Sequence, residues 1–147
     1  MSMTPAARLP RTLAALTIAA GLAHLPVTPE HLREAPYVGV SFVVFAVVAV
    51  VLGAYCWLRP SDHRGVAVAG VLSAAAIVTY AATRLVAFPE IGDDVGNWAE
   101  PWGVVSVLLE TAAVVVAVLS RRVVAGASLR AHVVRVGESA VPRRAAA

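Results

Sequence analysis

The chain has 147 residues, of which 59% are hydrophobic and only 14% charged, and its mean hydropathy is +0.78. That composition excludes an ordinary soluble domain, and the length leaves room for about four membrane spans of roughly 20 residues with no large soluble domain beside them. All 12 basic residues are arginine against 9 acidic ones, for a net +3, and the single cysteine, Cys56, excludes an intramolecular disulfide and any CxxC redox or zinc motif.

In chain order, the first predicted span covers residues 10–26, with Pro10 in the opening turn of a helix, where its missing N–H costs nothing. Arg8 and Arg11, the apolar stretch and Gly21-Leu22-Ala23 also fit a signal peptide cleaved after Ala23, so retained span and leader are both open readings. In "HLPVTPEHLREAP", Thr28 is expected to cap a short helix begun by Pro29 that lies along the membrane surface. The second span covers 36–58, starts at Pro36 and is closed by "RPSDHR". The third covers 65–88 and stops before Pro89; the fourth covers 101–120 and stops at Arg121 and Arg122. Residues 121–147 form a basic tail. The expected fold is all-α: a four-helix transmembrane bundle with short outer hairpin loops.

Orientation follows from the arginines, since cytoplasmic flanks retain basic residues. Arg8, Arg11, Arg59, Arg64, Arg121 and Arg122 fall on one side, together with Arg130, Arg135, Arg143 and Arg144 of the tail. The opposite loops carry Glu30, Glu34, Glu90, Asp93, Asp94 and Glu100 against a lone Arg33. Both termini are therefore expected in the cytoplasm of a plasma-membrane protein. The tail, with Leu129, Val133, Val134 and Val136 among its arginines, is suited to anionic lipid. No folded nucleic-acid reader is apparent, so the expected partners are the bilayer and a membrane protein or a second copy of the chain.

Glu110 interrupts "GVVSVLLETAAVVVAVL" nine residues after Pro101, about 13 Å into its helix and close to the middle of a bilayer core about 30 Å thick. A lone carboxylate there costs roughly 2.5 to 3.5 kcal/mol on insertion scales, so a partner is expected. Arg84, the only arginine within a span, is the expected partner. Its helix runs outward and that of Glu110 inward, and Cα to Cβ bonds tilt toward helix N-termini, so the two side chains converge. Tyr80 lies one turn below Arg84 and is placed to donate its hydroxyl to Glu110; Ser106 and Gly103 extend the polar stripe above it, and His24 ends the first span. One reading of this set is an ion pair that sets helix register. The other is an outward-opening polar pocket of His24, Tyr80, Arg84, Ser106 and Glu110.

Imidazole and carboxylate suit a transition metal, so His24, Glu30 and His31 form a candidate metal set, although they lack the helical i, i+4 histidine pair. The acidic loop "PEIGDDVGNWAEPWG" offers Asp93, Asp94, Asn97 and Glu100 but not the alternating ligands of an EF-hand. It reads as a solvated turn, with Glu100 at the fourth helix's N-terminus, where the dipole favours a carboxylate. Trp98 and Trp102 read as interfacial anchors.

The stretches "GLAHLPVTPEH", "TRLVAFPE" and "WAEPWGVVSVLLE" together resemble small four-span integral membrane proteins of actinobacterial type. The resemblance runs from about Ala20 to Leu119. It implies the four-span fold and a role for His24, Arg84, Glu100 and Glu110, and it implies no assigned activity. Four-span haem-binding cytochromes match poorly, since they need paired histidines within spans. With no nucleophile and base pair, cofactor fingerprint or strong metal motif, the expectation leans away from an enzyme. It is a non-enzymatic accessory subunit or an outward-facing binder of a small ligand or metal ion. The alternative is a proton-coupled carrier or membrane enzyme using Glu110 and Arg84.

Overall fold

The computed structural model describes residues 5–140, with individual side chains from Arg8 to Val123. It holds five α-helices: α1 (Pro5–Ala23), α2 (Thr28–Glu34), α3 (Pro36–Leu58), α4 (His63–Leu85) and α5 (Pro101–Ala140). A single 3-10 turn, Gly92–Asp94, lies between α4 and α5, and there is no strand among the described residues. α3, α4 and the Pro101–Val123 part of α5 are each 23 residues long and apolar enough to cross a membrane. The α1–α2 pair, bent by 46°, passes the same test as one broken segment, so three helices, or four counting that pair, are able to span.

Several boundaries differ from the sequence reading, each for a local reason. α1 starts at Pro5, so Pro10 lies inside the helix and simply omits one N–H from the ladder. Thr28 does not cap α2: Val27 occupies the cap position without a side-chain bond, and the Thr28 hydroxyl donates back to the His24 carbonyl at 2.8 Å. α4 begins two residues before the expected Gly65 because Asp62 caps it, accepting from the Arg64 N–H at 2.9 Å. It ends at Leu85, where Val86 turns extended ahead of Pro89. α5 runs straight through Arg121 and Arg122 to Ala140. Arginine ends a membrane span but is a good helix former, so the helix continues. The tail side chains Leu129, Arg130, Val133, Val134, Arg135 and Val136, and all of Arg143 and Arg144, lie outside the described residues.

The packing is inverted relative to a soluble bundle. α3 buries Gly39, Ala46, Ala49, Gly53 and Cys56, recurring every three, four or seven residues, while Val47, Val51 and Leu58 are 57, 63 and 75% exposed. α5 repeats the pattern, burying Ser106, Glu110, Ala113, Ala117 and Ser120. Small residues inside and branched apolar ones outside are what helices in lipid adopt, since close backbone approach rather than hydrophobic burial drives their association. α1 and α3 approach closely: a Cβ on Gly53 would sit 2.9 Å from the Ala14 carbonyl oxygen, and one on Gly21 would sit 2.7 Å from the Ala49 Cβ.

α1 packs along both α3 and α5, and α4 packs mainly along α5, whereas α3 and α4 touch far less. Leu13, Ala14, Cys56, Val66, Ala69, Ala113 and Ala117 close the core. Cys56 is buried and free. Removing α1 at Ala23 would uncover the small-residue faces of both its neighbours. The loose α3–α4 seam leaves a space toward the end of the molecule that carries α2 and the acidic α4–α5 connection.

Candidate ligand-binding cavity

That space is a cavity of about 460 Å³, within the range of small-molecule sites. α3 walls it with Phe42 and Phe45, α4 with Tyr80 and Arg84, α5 with Ser106 and Glu110, and the α1–α2 corner with His24 and His31. Phe88 completes the apolar lining, so all three phenylalanines of the chain face this one space. Phe42 and Phe45, three residues apart on a helix otherwise rich in valine, were the signal in the sequence for this wall. Sequence reasoning did not use it.

His24, Tyr80, Arg84, Ser106 and Glu110 all line the cavity, but their partners differ from those expected. Arg84 does not pair with Glu110. Its Nη1 lies 2.6 Å from the Asp94 carboxylate and donates to the Asp94 carbonyl at 3.4 Å, while its guanidinium stacks 4.6 Å from the centre of the Tyr80 ring. Arg84 stands one residue from the end of α4, so its long side chain reaches the connection that folds back over it. The Arg84 carbonyl also accepts from the Gly96 N–H at 3.0 Å. Gly96 takes a positive φ of 80°, which glycine adopts without steric cost.

Glu110 instead faces His24. Its Oε1 is 3.9 Å from His24 Nε2, too far for a hydrogen bond, and this oxygen has no hydrogen-bond partner although the residue is 1% exposed. The convergence expected of the Glu110 side chain occurs with a different helix. α1 also runs toward the acidic end, its last side chains tilt back along the helix, and it packs against α5. His24 is held by a 2.9 Å bond between Nδ1 and the Ala20 carbonyl and by ring contacts to Phe42 and Phe45, at 5.1 and 4.7 Å between centroids.

Tyr80 donates to the Trp98 carbonyl at 3.0 Å rather than to Glu110. Its ring lies against Gly103, where an added Cβ would come within 2.5 Å of it. Glu100 caps α5, accepting from the Trp102 N–H at 2.9 Å and from the Gly103 N–H. Tyr37 donates to the Pro89 carbonyl at 2.6 Å and ties α3 to the turn beyond α4.

His24, Glu30 and His31 do not assemble as a metal set: no three His, Cys, Asp or Glu side chains converge on a cation position among the described residues. His31 turns its Nδ1 to the Val27 carbonyl at 2.9 Å and its ring to Phe42. In the acidic loop, Asp94 is taken by Arg84 and Glu100 by the cap, and Asp93 is exposed. No family model, curated protein or solved structure matches this chain.

Proposed function

We propose that the chain is an integral membrane protein of four spans, with the broken α1–α2 segment as the first, that binds a small amphipathic ligand in the α3–α4 cavity. The arginine distribution puts both termini in the cytoplasm, so the cavity opens toward the outer face of the plasma membrane. The observation that carries the reading is the cavity itself, about 460 Å³ of space with three phenylalanines on its walls and a buried carboxylate lacking a hydrogen-bond partner. A purely structural charge would be closed over by its partner, as Arg84 is by Asp94. Binding is supported over catalysis because, among the described residues, each hydroxyl lining the space donates to a backbone carbonyl rather than to a histidine or carboxylate base.

Native mass spectrometry of the protein, carried from its host membrane in a lipid nanodisc, tests this. Ala76 lines the cavity, and Ala76→Phe fills part of it. A small-molecule adduct on the wild type that disappears in Ala76→Phe is expected. Identical spectra for the two proteins would refute a binding cavity.

A further inference from the structure

The hydroxyls of the cavity wall are one-sided in their hydrogen-bond polarity. Six hydroxyl side chains line it: Tyr37, Ser41, Thr79, Tyr80, Thr83 and Ser106. Every one has given its proton to a backbone carbonyl, at 2.6 to 3.0 Å. A carbonyl only accepts, so the hydroxyls have no proton left and offer lone pairs alone.

The same logic sets the tautomer of His24. Its Nδ1 sits 2.9 Å from the Ala20 carbonyl oxygen and must carry the hydrogen, which leaves Nε2 of the neutral ring as a bare acceptor. Nε2 faces Glu110 Oε1 across 3.9 Å, two acceptors with a gap between them and no hydrogen-bond partner on the glutamate. Both residues line the cavity, and what the two acceptors lack is a group bringing hydrogens of its own.

Charge points the same way. The lining holds Asp94, Glu100 and Glu110 against Arg84 alone among the aspartate, glutamate and arginine side chains. Arg84 is already neutralised by Asp94; its Nε, buried and without a hydrogen-bond partner, offers an N–H to a neutral acceptor but no net charge for an anion. Phe42 and Phe45 flank His24 and line the cavity, and aromatic rings suit a cation with an apolar body.

We infer that the ligand is a lipophilic primary amine, bound as its ammonium with N–H groups to Glu110 Oε1 and His24 Nε2 and its apolar body against Phe42 and Phe45. This rests on the binding reading above. Glu110 is the charge-matching residue, and His24 positions the second donor.

The test uses three probes of one skeleton: phenylethylammonium, phenylethanol and phenylacetate, measured by equilibrium dialysis against the protein in nanodiscs, with empty nanodiscs subtracted. Phenylethylammonium is expected to bind at least about tenfold more tightly than the other two, a difference of about 1.4 kcal/mol, and Glu110→Gln is expected to remove that preference. The charge series on the unaltered protein needs no variant, so a misfolded Glu110→Gln does not weaken the test. If phenylethanol or phenylacetate binds as tightly as the amine, the head-group assignment fails while the binding cavity stands. If Glu110→Gln is folded and keeps the preference, the assignment fails in the same way. If none of the three binds above empty nanodiscs, the amine assignment fails, and the Ala76→Phe comparison alone decides the cavity reading.

Discussion

Arg84 and Glu110 illustrate two fates of a charge among apolar helices. Arg84 has a carboxylate at 2.6 Å and a ring beneath it, so removing either partner of its ion pair leaves the other stranded. Arg84→Gln and Asp94→Asn are each expected to lower detergent-phase stability, and their double-mutant cycle should return a coupling of about 1–3 kcal/mol. The Arg84 and Glu110 changes should be additive. Glu110→Gln alone is expected to raise the melting temperature, because it removes a buried carboxylate that makes no hydrogen bond. A loss on that change would show instead that the carboxylate holds the helices together.

Asp62, outside the spans, is held below its ordinary value of 3.8 by the Tyr55 hydroxyl it accepts from and by the Arg64 N–H it caps. A carboxyl whose folded value is depressed adds stability above its unfolded value and loses it as pH falls through the folded one. Wild type should therefore unfold at a higher temperature than Asp62→Ala at neutral pH. The gap should narrow below pH 3.8, which a thermal series by circular dichroism would follow.

For the helices, the decisive contacts are those of the smallest residues. Gly53 allows α3 to touch the backbone of α1, and a side chain there would meet both Ile18 and the Ala14 carbonyl. Gly53→Val is expected to cost about 1–3 kcal/mol, the range of overpacked interiors, read as earlier unfolding in a mixed-micelle denaturant titration. Val51→Leu, on the same helix but 63% exposed, should leave that titration unchanged. Helix identity was legible because α3 is apolar throughout and α5 is apolar from Pro101 to Ser120 except at Glu110, and α3 runs over the residues 36–58 that its prolines and charges bracket. The far end of α5 was not legible. Arg121 and Arg122 mark where an apolar stretch meets water, and nothing in that transition interrupts backbone hydrogen bonding.

At the scale of the whole molecule, charge asymmetry makes a topological claim that can be read from intact cells. Cys56 is buried at 1% exposure and should be silent to a membrane-impermeant maleimide. A cysteine introduced at Asp93 is expected to label from outside, and one at exposed Ser61 only after the cells are opened. The reverse pattern would turn the molecule over and make the cavity a cytoplasmic one.

The sequence by itself determined the helical class, three segments long and apolar enough to cross a bilayer unaided, and the presence of ionisable residues inside them; the first predicted span passes only as the bent α1–α2 pair. These follow from composition and periodicity, which act locally along the chain. Only the tertiary structure decided who faces whom. Arg84 and Glu110 look like natural partners on successive antiparallel helices, yet a ten-residue stretch folds Asp94 back onto Arg84, and α1 brings His24 to Glu110. Opposite charges at matching depths are compatible with many pairings. The choice belongs to loop conformation and to the small residues that set which helices can approach, and neither is written in the spacing of the charges themselves.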